Sequence, residues 1–389
     1  MNTITNTLPP VSQNNTLGLY LHIPFCRSKC LYCDFCSLPS AKEETVERYI
    51  DALCTQIKIM GERAKERTVD TVFIGGGTPT FLTSAQLGKI ITELEKSFAV
   101  SKDAEFTAEA NPATFDRQKL TEMRAMGVNR LSIGMQSAIA NELRLLGRTH
   151  TAEDIKKAVD AVNLAKIDNF NLDLMYGIPS QTVDSFKETL NFVCSLSPDH
   201  ISVYGLQLEE GTPLYKRQEK YTFPTEDEEK EMNRTALSVL GKSGYNRYEI
   251  SNYAKEGKEC RHNIKYWKRD DYIGMGVAAH SFFERERYGA TENIDEYISA
   301  VQTDSDCLYQ DRQKITPDEA AAEYIMLRMR LTEGVSPEGF TAETGLSFTP
   351  YAKRMEQFIA SGHIEYKNKR YAFTPNGFDV SNYILSEIV

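Results

Sequence analysis

Four cysteines fall within eleven residues, in the run Cys26-Arg-Ser-Lys-Cys30-Leu-Tyr-Cys33-Asp-Phe-Cys36. Thiols this crowded either pair with one another or bind metal, and the redox setting decides which. The opening stretch MNTITNTLPPVSQNN lacks the basic start and apolar centre of a signal peptide. No apolar run approaches the ~20 residues of a membrane span. The expected setting is therefore cytoplasmic and reducing, which favours a metal loop over a disulfide staple. Of the 389 residues 41% are hydrophobic, enough for a large core without cross-links, and the formal net charge of -10 argues against a nucleic-acid ligand.

Around this loop the chain alternates short apolar runs with helical stripes. Strands are expected at Leu17–Ile23, Thr71–Ile74, Glu105–Glu109, Arg130–Gly134, Phe170–Met175 and Ile201–Leu206. Between them fall helix-spaced sets such as Tyr49, Leu53, Ile57, Met60 and Ile155, Val159, Val162. That rhythm predicts parallel βα units, and about six of them suit an open (β/α)6 partial TIM-type barrel. The organisation expected is a flexible N-terminus (1–16), the barrel (17–225), a connecting region (226–310) and a C-terminal, mainly helical, winged-helix-like domain (311–389). Cys26, Gly75–Thr80, Glu109, Gln136 and Asp173 all sit at or after strand ends, the mouth where parallel barrels build active sites.

CxxxCxxC can supply three thiolates to a [4Fe–4S] cube and leave one iron open. Zinc is the competing metal, but all-cysteine zinc sites usually join two knuckles across a long spacer absent here. Cys36 is a fourth ligand or a bystander. The triplet Gly75-Gly76-Gly77 allows close backbone approach to a ligand and lacks the Lys of a phosphate loop.

The loop, with Tyr32 just before its third cysteine, resembles the radical S-adenosylmethionine (SAM) superfamily. YLHIPFC (Tyr20–Cys26), GGGTPT (Gly75–Thr80), EANP (Glu109–Pro112), NRLSIGMQS (Asn129–Ser137), LGRTH (Leu146–His150) and NLDLMYGIP (Asn171–Pro179) follow in order. Together they resemble the oxygen-independent coproporphyrinogen III oxidase-like group over roughly residues 17–385. The resemblance implies that Cys26, Cys30 and Cys33 hold the [4Fe–4S] cluster, whose open iron chelates SAM. It also implies that Tyr20, Tyr32, Gly76, Gly77, Thr78, Glu109, Gln136, Arg148 and Asp173 line the SAM cavity.

Two branches of that group differ in function: an oxidase that decarboxylates coproporphyrinogen III in haem synthesis, and a haem chaperone. The oxidase motif ends CxC, and Phe35 stands where its last cysteine belongs. Cys36, one residue later, does not restore that spacing and becomes a bystander. The oxidase also carries a long N-terminal extension, against about sixteen residues without an apolar stripe before the first strand here. Finally, His262-Asn-Ile-Lys-Tyr266-Trp267 is similar to the HNxxYW signature of the chaperone branch. By resemblance, His262 would offer haem an axial nitrogen, with Tyr266 and Trp267 as flat apolar surfaces. A packed, hydrogen-bonded His262 is the competing reading, and His280 and Cys260 are further candidate ligands. The chaperone reading implies haem and acceptor haemoproteins, respiratory ones among them, as partners. It also implies an electron donor for the cluster, and it leaves open peripheral membrane contact and a homodimer.

Overall fold

The computed structural model describes residues 15–303 and 308–389; the expected flexible segment 1–16 lies almost wholly outside them, as does Cys307. The six expected strands are all present: β1 (Thr16–Ile23), β2 (Thr68–Gly76), β3 (Ala99–Ala110), β4 (Arg130–Gln136), β5 (Asn169–Tyr176) and β6 (His200–Gly205). Each pairs in parallel with the next. Alternation explains why they stay in register. Leu17, Leu19, Leu21 and Ile23 of β1, with Val72 and Ile74 of β2 and Leu131 and Ile133 of β4, are buried in the main core. The intervening residues, including Gly18, Tyr20, Thr71, Phe73, Thr107, Glu109, Ser132 and Asp173, occupy the opposite, inner face. Burying each such Leu or Ile stabilises the fold by roughly 2 kcal/mol.

The crossover helices begin where the sequence caps them. Thr83, Thr151, Thr182 and Thr225 each accept from the amide three residues on, and the side chain there bonds back to the threonine amide. Helix Glu43–Arg63 buries Tyr49, Leu53, Ile57 and Met60, the stripe expected from spacing.

Residues 226–310 are not merely a connection. They carry β7 (Asn246–Arg247), β8 (Asn252–Ala254), β9 (Tyr272–Met275), β10 (His280–Phe283) and β11 (Glu286–Ala290), and β12 (Tyr309–Lys314) follows. One twelve-stranded sheet results, in the order β12-β11-β10-β9-β1-β2-β3-β4-β5-β6-β8-β7. The sheet is open, as expected, but it extends past the six βα units at both ends. Strands after residue 226 join the sheet of the βα units: β9 pairs in parallel with β1 from Gly18 to Leu21. Helix Arg261–Lys268, just before β9, packs across the N-terminal end of β2.

From Pro317 a separate core forms around Tyr324, Phe340, Phe348, Met355 and Phe373. Three helices (Pro317–Arg328, Pro337–Thr344, Thr349–Ala360) precede a hairpin of β13 (Ile364–Lys367) and β14 (Arg370–Phe373), and two short helices close it. Arg247 lies 4.0 Å over the Phe378 ring and ties this module to the open end of the sheet.

Candidate functional site

The cysteine loop leaves β1 at the mouth of the barrel and is laced to three neighbours. Gly77 N–H donates to Ile23 O (2.8 Å) and Thr78 N–H to Phe25 O (2.9 Å), so the glycine turn is stitched to the chain entering Cys26. Leu31 N–H donates to Leu146 O (3.0 Å), and Leu214 N–H donates to Leu31 O (2.9 Å). Two glycines are obligatory here. Gly76 has φ +106°, and a Cβ would sit 2.5 Å from the His22 ring; Gly147, φ +74°, would place one 2.9 Å from Leu31.

Cys26 is buried, its Sγ 3.4 Å from Thr78 Oγ1, while Cys30 and Cys33 are half-buried. Burial pushes the Cys26 and Cys33 thiols up, and each also feels the Cys30 charge. Among the described residues no three Cys, His, Asp or Glu side chains converge on one metal ion. Cys36 stands apart, its Sγ facing Glu292 O at 3.5 Å.

Behind the loop, Arg148 donates to Tyr32 Oη (2.9 Å) and lies over its ring (5.9 Å). A Cβ on Gly134 would meet Gln136 Nε2 at 3.0 Å and the Arg148 guanidinium at 3.1 Å, so Gly134 opens the space both side chains enter. Gln136 holds a left-handed backbone, φ +66°, which costs about 1 kcal/mol and re-aims its amide at the β4 end. Glu109 is half-buried and accepts Gly76 N–H at 2.9 Å. Burial, then the neighbouring Asp173, pushes its carboxyl up to about 8. Burial likewise raises Asp173, against bonds from Asn171, Ser202 and Ser132. Tyr20 Oη meets His22 Nδ1 (3.0 Å), whose Nε2 meets Cys36 O (2.8 Å).

Two buried carboxyls side by side are costly unless a cation neutralises them. SAM brings a sulfonium and an α-amino group, so the donor chemistry of this cavity fits it. The Arg148 Nε and Thr107 Oγ1 atoms, buried without partners, leave further polar capacity inside the barrel. All nine residues expected for SAM thus fall around one mouth. Tyr204 on β6 is a lining residue the motifs did not mark. It stands in register with Met175, 39% exposed to the cavity though ringed by protein, and burial followed by Asp173 raises its phenol. Its signal was the alternation Ile201/Val203 against Ser202/Tyr204.

The haem-signature residues lie elsewhere. Thr71 is five residues before Gly76 on the same strand, about 16 Å along it at ~3.3 Å per residue. At that N-terminal end, helix Arg261–Lys268 plugs the barrel. The Glu105 carboxylate accepts Arg261 N–H and His262 N–H, both at 3.0 Å. His262 is fully buried, with Nδ1 2.9 Å from Thr71 Oγ1 and Nε2 2.8 Å from Tyr266 Oη, and it stacks on Phe73. Burial, then Lys265, pulls it down to about 3, so it is a neutral imidazole. Both His262 nitrogens are thus bonded within the protein, the packed arrangement that competes with a role as haem ligand. Tyr266 is likewise wedged edge-on to Tyr272 (4.5 Å), and Trp267 is half-buried with Arg330 5.9 Å over its ring. Cys260, fully buried, donates to Glu105.

The profile of the Radical SAM superfamily matches residues 20–193, and that of the HemN C-terminal domain residues 315–380. The heme chaperone HemW of Bacillus subtilis is 34% identical over 331 residues, 84% of this chain and 87% of that one. HemW of Escherichia coli is 33% identical, covering 92% of each. The chain belongs to the radical SAM superfamily and, within it, to the HemW family. Among solved structures, the coproporphyrinogen III oxidase HemN of Escherichia coli superposes with TM-score 0.85 at 24% identity, covering 96% of this chain and 90% of that one, a likeness of fold. Radical SAM membership implies a [4Fe–4S] cluster and SAM as cofactors. Among the described residues, no helix is long and apolar enough to cross a membrane.

Proposed function

We propose that this chain is a haem chaperone: it carries a [4Fe–4S] cluster and SAM at the barrel mouth, binds haem, and passes it to acceptor haemoproteins. The observation that carries this reading is the run of HemW relatives at 30–34% identity aligned over most of their length. Phe35 supports it, since it stands 66% exposed where the oxidase motif requires a thiolate.

Cys26, Cys30 and Cys33 would hold the cluster, which would supply an electron and an open iron for SAM to bind. The chain's own residues do the rest. Glu109 and Asp173 offer negative charge to a cationic ligand, Gln136 and Arg148 supply donors, and Gly76 and Gly77 admit backbone to close range. Tyr32 packs under Arg148 and anchors the loop between Cys30 and Cys33. An electron donor must reduce the cluster. The bulk setting proposed is cytoplasmic, with any membrane association peripheral or through a partner.

The test supplies anaerobically reconstituted protein with haem in one arm, and with coproporphyrinogen III, SAM and reductant in the other. Stoichiometric haem uptake without protoporphyrinogen formation supports the chaperone. Protoporphyrinogen formation overturns it in favour of the oxidase.

A further inference from the structure

We infer that Tyr248, His200 and Asn171 form a hydrogen-bond relay that holds the Asp173 carboxylate in place in the SAM cavity, with Tyr248 and His200 as positioning residues for that group. The inference rests on the reading of Asp173 as a carboxylate offered to SAM and deepens it by naming what sets its aim.

The strand pattern builds the relay. Asn171 and Asp173 are two residues apart on β5 and therefore share its inner face. In the register of the sheet, Asn171 pairs with Ser132 of β4 on one side and with His200 of β6 on the other. Asn171 and His200 are both buried. Tyr248, between β7 and β8, meets the His200 ring edge-on, with 5.6 Å between centroids. The far end is pinned as well. Tyr248 O accepts the Thr332 N–H at 3.0 Å and the Thr332 hydroxyl at 3.1 Å, so the relay starts where the C-terminal module meets the sheet.

The contacts run in one direction. A carboxylate only accepts, so the Asn171 atom 2.7 Å from Asp173 Oδ1 is the amide nitrogen. That nitrogen also donates to Ser132 Oγ at 2.7 Å, and Ser132 Oγ–H donates to Asp173 Oδ2 at 3.2 Å. The Asn171 carbonyl is thereby turned to His200, whose Nδ1 stands 2.7 Å away and must carry the proton. Ser202 Oγ–H gives the same carbonyl a second bond at 3.2 Å. A neutral imidazole protonated at Nδ1 is bare at Nε2, and that nitrogen accepts Tyr248 O–H at 2.8 Å. Cys260 N–H donates to Tyr248 Oη at 3.2 Å, which leaves the phenol hydrogen for the imidazole. Every donor from Tyr248 onward points toward Asp173.

The buried charges agree with these roles. Burial, then the Arg130 guanidinium, pulls His200 well below the ordinary histidine range, so its ring is neutral. Burial raises Asp173, and the bonds from Asn171, Ser202 and Ser132, with the Arg130 charge, oppose it. Aligned hydrogen bonds polarise one another, so a change at Tyr248 reaches the carboxylate. Without the phenol hydroxyl the ring is free to carry its proton on Nε2. Bare Nδ1 would then face the Asn171 carbonyl, and a flipped amide would set its oxygen against Asp173.

The test measures SAM affinity by calorimetry on the anaerobically reconstituted full chain. Tyr248→Phe, which removes one hydroxyl, should bind SAM about five-fold more weakly, the worth of one hydrogen bond. Asp173→Asn should lose about ten-fold or more. The double variant should bind no worse than Asp173→Asn, because the relay acts through that carboxylate. NMR of protein carrying isotope-labelled histidine should find the wild-type His200 proton on Nδ1, and Tyr248→Phe should lose that signature. Additive losses in the double variant would overturn the relay, since a general loosening of the core adds to any loss at the cavity. Wild-type affinity in Tyr248→Phe, or a wild-type His200 proton on Nε2, would overturn it too. Wild-type affinity in Asp173→Asn would instead remove the reading of Asp173 on which the relay rests.

Discussion

The two ends of the barrel carry similar side chains and treat them in opposite ways. At the N-terminal floor, Glu105, His262, Tyr266 and Thr71 complete one another: the carboxylate caps a helix, and both imidazole nitrogens are bonded. At the C-terminal mouth, the Asp173 carboxylate raises the neighbouring Glu109, Gln136 is held left-handed, and an Arg148 nitrogen is left over. The His262 imidazole is saturated, whereas at the mouth the Arg148 Nε stays without a partner among the described residues. A buried polar cluster marks a binding site only when its valences are not already spent within the protein.

The largest effect expected is at the cluster loop. Alanine at Cys26, Cys30 or Cys33 should abolish an iron and sulfide content near about four per chain, with SAM binding lost alongside, while Cys36→Ala should retain both. Iron and sulfide analysis with absorbance spectra checks this, and cluster loss in Cys36→Ala would break the three-cysteine assignment.

Next comes the floor. Glu105→Ala strands two buried helix-end donors and should lower stability by about 3 kcal/mol, as charged hydrogen bonds at ~1.5 kcal/mol or more each suggest. Urea unfolding midpoints measure it. Glu109→Gln, at the mouth, should show the reverse pattern, with stability kept and SAM affinity down about ten-fold, a loss of ~1.4 kcal/mol. If both variants lost stability and binding equally, the contrast between the ends would fail.

A smaller effect concerns pH. Unfolded, Glu109 ionises near 4.5; folded, it does so at about 8. The folded chain therefore binds the extra proton between those values. The stability this contributes is whole below pH 4.5 and is lost as pH rises through about 8. Wild type should lose melting temperature from pH 6 to pH 9 relative to Glu109→Gln, and SAM should narrow the gap by favouring the carboxylate. Equal pH profiles for the two proteins would contradict the buried pair. The smallest effect belongs to Phe35→Cys. Cluster content should stay unchanged and no decarboxylation of coproporphyrinogen III should appear, because one cysteine does not rebuild the oxidase's cavity.

Local pattern made the mouth legible. Alternating strands and strand-end glycines are short-range signals, and they are enough to put Cys26, Gly76, Glu109, Gln136 and Asp173 at one end of the strands. The sheet's outer strands were not legible, because Asn246–Arg247 and Asn252–Ala254 are too short to show alternation. The burial of His262 is not legible for a related reason. The helix Arg-His-Asn-Ile-Lys-Tyr-Trp-Lys reads as a polar surface segment, and its burial depends on Glu105, 157 residues earlier in the chain. Long-range capping leaves no trace in local spacing.

A haem chaperone holds haem and hands it on rather than making porphyrin. Haem-loaded, cluster-reconstituted protein mixed anaerobically with an apo-haemoprotein tests it most directly, with the Soret bands of donor and acceptor followed over time. The account predicts loss of the donor band matched by growth of the acceptor's. A donor band that stays in place, together with protoporphyrinogen formed from coproporphyrinogen III, SAM and reductant, would contradict it.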